Sequence, residues 1–428
     1  MKLVAANEVG NEREQWVRRY REVRARTEAL AAPLSAEDQT IQSMADVSPT
    51  KWHRAHMSWF FETFLLGPHL PNYRVFDAAY GFLFNSYYEA VGPRYPRPQR
   101  GLMSRPGVTQ IARYRARVDG AMRRLMLTVD AKRWLEVMPL LELGLNHEEQ
   151  HQELLLMDIK HVLSSNPTDP AYHARMPEVG AVAGNLEWVE FEGGLREIGN
   201  GGATFAFDNE GPRHRVWLEP FRLASRLVTC GDYLAFIADD GYRRPELWLS
   251  DGWAAVGAQG WQAPLYWRNE GAGWTIFTLA GRRPIELAEP VCHVSHYEAD
   301  AFARWRGKRL STEAEWEIAA IEHQGGVEGH LVDRDVFHPL AAGSGQGLRQ
   351  MAGDVWEWTA SPYAPYPGYR PAAGAVGEYN GKFMSNQMVL RGGACVTPRG
   401  HVRPTYRNFF PPAARWCFGG IRLAEDAS

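Results

Sequence analysis

Cysteine is scarce in this chain of 428 residues: four in all, Cys230, Cys292, Cys395 and Cys417, with no C-x-x-C pair. Such spacing offers neither a disulfide framework nor a thiolate zinc site, and a reducing compartment is the simplest setting. Long hydrophobic runs are also missing, so no segment reads as a membrane span, and no membrane partner is expected. The opening residues, Met1-Lys2-Leu3-Val4-Ala5-Ala6-Asn7-Glu8, turn polar too soon for a signal peptide, so the expected location is cytoplasmic. Charge of one sign is lacking as well. A net charge of −3 provides no basic field, so no nucleic-acid partner is expected. What remains is an ordinary globular composition, 45% hydrophobic and long enough for two domains.

Chemistry concentrates in Leu145-Asn146-His147-Glu148-Glu149-Gln150-His151-Gln152-Glu153-Leu154-Leu155-Leu156-Met157-Asp158. Helix formers dominate, and neither Gly nor Pro occurs from Leu145 to Leu163. His147 and His151 then lie one above the other on one helical face, where two neutral imidazoles can share a divalent metal. Glu153 points elsewhere and suits an outer carboxylate better than a third ligand. The bland alternative is a solvated, charge-rich helix with incidental histidines. One more imidazole from elsewhere would decide between them.

The first half reads as four helices, up and down, the kind of bundle whose core can hold metal ligands. The first spans about Asn11 to Ala32. A second begins at Asp46-Val47-Ser48-Pro49, with Ser48 as N-cap and Pro49 in the first turn. It carries Trp52, His53, His56, Trp59, Phe60, Phe61 and Phe64, and a histidine amid such aromatics is more often a hydrogen-bonded core residue than a ligand. The third runs from about Thr109 to Thr128, and the fourth from Ala131 to Leu163. Between the second and third, Arg94, Arg97, Arg100 and Arg105 alternate with prolines. This loop is either a solvated surface turn or a carboxylate clamp, since arginine presents a planar fork.

Ser164-Ser165-Asn166-Pro167 ends the helical half, placing a domain over 1–165, a linker over 166–185 and a second domain over 186–428. Beyond it, short apolar runs such as Trp188–Phe191, His214–Leu218 and Met388–Gly393 predict short strands and long loops. Helices are expected over Thr229–Asp239 and Tyr297–Trp305, with another from a capping box at Thr312-Glu313-Ala314-Glu315. The fold class is α+β.

Motifs along the whole chain carry a resemblance. In the first half they are Ser48-Pro49-Thr50-Lys51-Trp52-His53-Arg54-Ala55-His56, Phe84-Asn85-Ser86-Tyr87-Tyr88-Glu89 and His147-x-x-x-His151-x-Glu153. In the second they include Phe207-Asp208-Asn209-Glu210, Gly353-Asp354-Val355-Trp356-Glu357-Trp358, Leu390-Arg391-Gly392-Gly393 and Arg403-Pro404-Thr405-Tyr406-Arg407-Asn408-Phe409-Phe410. Together, in order, they resemble the iron-dependent sulfoxide synthases of ergothioneine biosynthesis. In that family a DinB-like four-helix bundle is joined to a C-type-lectin-related domain like the formylglycine-generating enzyme.

The resemblance implies an Fe(II) site on His56, His147 and His151, with O2 as co-substrate, and it admits a structural Ca2+ in the second domain. It implies hercynine contacts at Gln150 and Asn408, aromatic walls at Phe409 and Phe410, and a carboxylate-holding pair at Arg97 and Arg100. Tyr87 and Tyr88 align with active-site tyrosines that would supply a proton and steer oxidation towards C–S bonding. Phe409 and Phe410 resemble the branch that takes free cysteine rather than γ-glutamyl-cysteine. Cys230, Cys417, Met57 and Ser385 depart from the family pattern and keep open the sister selenoneine synthases, which couple hercynine to a selenosugar. A further alternative is a DinB-type thiol transferase without O2 chemistry. Formylglycine generation is not expected, because the cysteine pair it uses is absent.

Overall fold

A computed structural model describes residues 2–173, 182–202, 204–271, 273–324 and 329–427. The backbone forms two compact units, one of residues 1–165 with 374–378, the other of 166–373 with 379–428. Residues 174–181, in the middle of the expected linker, lie outside the described residues. The neighbouring stretch is packed in the second unit, where Asp169 pairs with Arg282 at 2.8 Å and Tyr172 N–H donates to the Leu279 carbonyl. No helix among the described residues is long and apolar enough to cross a membrane.

The first unit contains four long helices: α1 (Lys2–Ala31), α2 (Thr50–Phe61), α3 (Val108–Thr128) and α4 (Ala131–Ser164). Trp52, Trp59, Phe60, Phe61, Tyr114, Met122 and Leu145 fill the core between them. The start of α2 differs from the expectation. Pro49 is the capping residue, and no side chain caps the helix. The Ser48 hydroxyl instead accepts from Arg100 Nη1 at 2.9 Å, while its backbone N–H donates to Asp158. A distant partner has displaced the local cap.

Two features set the position of α4. A Cβ at Gly144 would stand 2.6 Å from Phe61 Cε1 and 2.9 Å from Phe60 Cε1, so the missing side chain lets α4 approach α2. Gly144→Ala is therefore expected to destabilise by about 1–3 kcal/mol through overpacking, although alanine is the better helix former. Chemical denaturation of the variant checks this, and a gain in stability would contradict it. On another side, the buried Glu148 carboxylate accepts from Arg24 Nη1 at 3.0 Å, Arg115 Nη2 at 3.0 Å and Thr27 Oγ1 at 2.7 Å. This ion cluster ties α4 to α1 and α3.

The second unit mixes short strands with helices. One sheet has the order β1 (Trp188–Phe191), β4 (Phe221–Ala224), β13 (Leu423–Asp426), β8 (Arg309–Leu310). Another has β11 (Asn408–Phe410), β10 (Met388–Arg391), β9 (Trp356–Pro362), β12 (Gly419–Gly420). A ribbon of β2 (Gly194–Ile198) and β3 (His214–Leu218) and a meander of β5 (Trp267–Asn269), β6 (Trp274–Thr278) and β7 (Gly281–Pro284) complete the strands among the described residues. The helices are α5 (Cys230–Ala238), α6 (Ser250–Gln259), α7 (His296–Trp305) and α8 (Glu313–Gln324). The capping box before α8 forms as expected, with Glu315 N–H donating to Thr312 Oγ1 and Thr312 N–H to Glu315 Oε2.

The second-half motifs turn out to be internal ties. Glu357 takes Arg422 and Trp316, Arg391 and Arg407 share Glu313, and Glu210 holds Arg403 and Thr405. All four cysteines are buried thiols, and burial pushes Cys230 well up.

Asp354 is the exception to this pairing. Its Oδ1 accepts from Leu340 N–H at 2.8 Å, no cation pairs with it among the described residues, and burial pushes its carboxyl from 3.8 up to about 7. The raised value means that its stabilising protonated form is complete below the usual carboxylate pKa and is lost as pH rises through about 7. Asp354→Asn is expected to remove that loss and to be more stable than wild type at pH 8 by about 2–4 kcal/mol. Urea melts across the pH range would show it. Identical pH profiles would reject it.

Candidate metal centre

Three imidazoles meet inside the first unit. His56 projects from α2, and His147 and His151 from α4, with one ring nitrogen of each within 4.8 Å of the others. Spacing of i, i+4 puts the α4 pair on one face, ring centroids 4.7 Å apart. His56 stands 5.2 Å from His147 and 4.8 Å from His151. All three are buried.

Burial holds His147 down at about 3, and burial followed by the nearby His147 holds His56 and His151 well below the usual histidine range. The rings are neutral, the form a metal requires. The hydrogen on His56 can be placed. Its Nδ1 is 2.7 Å from the Phe84 carbonyl, which only accepts, so Nδ1 carries the hydrogen and Nε2 keeps its lone pair. That Nε2 is buried and has no hydrogen-bond partner among the described residues. An orphaned imidazole nitrogen beside two neutral imidazoles fits a divalent transition metal.

The surroundings are layered. The Arg100 guanidinium lies 3.4 Å over the Trp52 ring, and both Trp52, at 4.7 Å, and Trp59, at 5.4 Å, stack on His56. In the arginine-rich segment Arg94 and Arg105 are exposed, whereas Arg100 is buried and its Nη1 donates to the Ser48 hydroxyl. Burial lowers this guanidinium to about 9, so it stays charged, with no carboxylate paired to it among the described residues. A buried cation in that condition calls for an anion. Arg97 is half-buried, and its Nη1 donates to the Tyr87 hydroxyl at 2.8 Å. Tyr88 is buried, its ring 5.6 Å from Trp59 and 5.1 Å from Phe64. Gln150 is half-buried, one residue before His151 on α4. Asn408, Phe409 and Phe410 form β11 in the second unit, where Phe409 stacks on Tyr363 at 4.0 Å.

Two further residues belong to this centre and were not singled out as site residues. His53 presents Nδ1 to His151 Nδ1 at 2.9 Å, and its Nε2 lies 3.0 Å from Asp158 Oδ2. On sequence alone, the aromatic setting of His53 favours a core residue. Asp158 could have been found, because it lies two helical turns beyond His151 on the same face of α4.

Fold and site together define a candidate histidine-ligated metalloprotein of two units. Residues 181–339 and 335–427 match the family model described as sulfatase-modifying factor enzyme 1-like domain. The hercynine oxygenase of Mycolicibacterium thermoresistibile is 31% identical over 415 residues, covering 89% of this chain and 88% of its own. That of Mycolicibacterium smegmatis is 34% identical over 66% of this chain and 71% of its own. The formylglycine-generating enzyme of Streptomyces coelicolor is 30% identical over 53% of this chain and 82% of its own. The chain belongs to the hercynine oxygenase family, the ergothioneine-pathway family that its motifs resemble.

Proposed function

We propose that this protein joins a chalcogen donor to the imidazole C2 of hercynine in an Fe(II)- and O2-dependent reaction, with cysteine as donor and a sulfoxide as product. In that balance one oxygen atom goes to sulfur. The other leaves as water with the C2 and thiol hydrogens. The observation that carries the reading is the buried trio of neutral imidazoles, with the orphaned His56 Nε2, in a chain whose relatives are named hercynine oxygenases. The helical unit is read as a DinB-like bundle on the same motifs.

His56, His147 and His151 would hold the iron. When bound, Fe(II) would supply the chemistry that activates dioxygen and the donor's chalcogen. The unpaired charge of Arg100 supports its assignment to the donor's carboxylate, with Arg97 as the second arm. Gln150 and Asn408 are each assigned to hercynine contacts on the strength of their own motifs alone. Phe409 and Phe410 would flank its quaternary ammonium, which has no proton to donate and suits π faces. Tyr88, linked to His56 through the Trp59 ring, and Tyr87 are the groups proposed to manage the proton. Tyr87→Phe or Tyr88→Phe is expected to divert oxidation from C–S bonding to the free thiol. An unchanged product ratio in both variants would remove the tyrosines from the mechanism.

The deciding experiment reconstitutes the protein with Fe(II) anaerobically, adds hercynine, then admits air with cysteine, γ-glutamyl-cysteine and a selenosugar in competition. Mass spectrometry is expected to show the hercynyl-cysteine sulfoxide. A selenium-bearing product alone would move the chain to the selenoneine branch, and turnover without air would make it a thiol transferase. No adduct with any donor would overturn the proposal.

A further inference from the structure

The His56 ring is oriented by a backbone carbonyl, whereas His151 has no such anchor among the described residues. Its Nδ1 faces another histidine, His53, at 2.9 Å. Two ring nitrogens at that distance share one hydrogen, and either could carry it. If it sits on His53, the neutral His151 ring carries its own hydrogen on Nε2 and presents N–H rather than a lone pair to the centre. If it sits on His151 Nδ1, the Nε2 lone pair is available.

Asp158 breaks the tie. Its Oδ2 accepts from the backbone N–H of Ser48 at 2.7 Å, which fixes that atom as an acceptor. The same oxygen is 3.0 Å from His53 Nε2, so His53 carries its hydrogen there and turns a bare Nδ1 towards His151. The hydrogen between the rings then belongs to His151 Nδ1. Both His56 and His151 end with Nδ1–H tethered and Nε2 basic, on independent grounds. His53 and Asp158 are buried, and Asp158 Oδ1 has no partner among the described residues. An unbonded buried carboxylate oxygen costs stability, so packing alone does not account for an acid here.

We propose that Asp158 and His53 form a hydrogen-bonded relay that fixes which nitrogen of His151 faces the metal, making both of them positioning residues of the centre. The relay rests on the reading of His56, His147 and His151 as ligands. Outer partners of this kind orient ligand rings and raise their basicity, and losing one lowers metal affinity by about 10–100-fold.

The test uses Co(II) as an anaerobic probe of the full chain, reading affinity and ligand-field bands in wild type, His53→Phe, Asp158→Leu and Asp158→Asn. His53→Phe keeps the ring volume without an acceptor, and Asp158→Leu removes the acceptor from His53. Both are expected to bind Co(II) about 10–100-fold more weakly, with shifted bands. Asp158→Asn can keep an oxygen where Oδ2 meets Ser48 and His53, so it is expected to retain most of the affinity. Thermal unfolding of each metal-free variant separates relay loss from misfolding. A folded His53→Phe or Asp158→Leu protein with wild-type affinity and bands overturns the relay. Wild type that binds no Co(II) overturns the ligand assignment and the relay with it. Selective histidine 15N spectra of the metal-free wild type decide the point without any variant: the Nδ1–H form of His151 is expected, and the Nε2–H form overturns the relay.

Discussion

His151→Ala is expected to leave the purified protein without bound Fe(II) and to abolish hercynine turnover. The substitution removes one of three neutral nitrogens that converge within 4.8 Å, and the two remaining imidazoles stand on different helices. It also strips His53 of its partner at 2.9 Å. The loss of metal affinity should exceed the roughly 10–100-fold that removal of an outer partner costs. Stability should fall far less than function, by about 1–3 kcal/mol, because the ring contributes packing near Trp52 but no buried charge. Metal content after anaerobic reconstitution, product yield and thermal unfolding measured on one preparation separate the two effects. A variant that keeps iron and turnover would sink the assignment of the site.

Glu148→Ala should do the reverse and strike the fold first. The carboxylate is fully buried and held below its usual range by Arg24 and Arg115, which overcome the opposing effect of burial. Its removal leaves two buried guanidinium groups without their central acid, at an expected 3–5 kcal/mol. Urea denaturation at neutral pH measures this, and a midpoint equal to wild type would show that the cluster relaxes freely. A lowered carboxyl pKa also fixes the sign with acid. The stabilisation is present above the ordinary carboxylate range and drains away as pH falls below it. Glu148 adjoins His147 on α4, so metal binding should weaken as the helix loosens. That loss should follow the loss of stability rather than precede it.

Local chemistry explains what could be read in advance. The span of α4 follows from its composition and from Asp130, whose side chain accepts from Arg133 N–H at the helix start. The i, i+4 spacing of His147 and His151 survives into three dimensions because helical periodicity is a local property. His56 could not be separated from His53 on spacing. Which of the two turns inward depends on Phe84 and Asp158, both remote in sequence. The same remoteness moved Ser48 from helix cap to partner of Arg100, and it hid the burial of that arginine in a loop rich in proline and charge. Helix α6 was unforeseen because Gly252 and Gly257 weaken its signal. Gly252 is kept where a Cβ would meet the Tyr297 ring at 2.8 Å. The five-residue π-helical segment at Glu62–Leu66 was equally unreadable. It is held by Glu62, which accepts from Tyr73 and Tyr114 at 2.6 and 2.7 Å.

The place of β13 bears on how the two units come to be made. Leu223 on β4 pairs with Ala424 on β13, and Leu310 on β8 pairs with Leu423, so β13, one of the sheet's two inner strands, follows every other strand of that sheet in the chain. Loop closure over such separations is slow, whereas helix-rich segments with local contacts form quickly. During synthesis β1 can pair with β4, but β4 and β8 each emerge with an edge unsatisfied and wait for β13. The helices bearing His56, His147 and His151 have left the ribosome long before. The nascent chain thus presents its metal ligands early and its exposed strand edges late, and it is in that interval that a chaperone would matter most to yield.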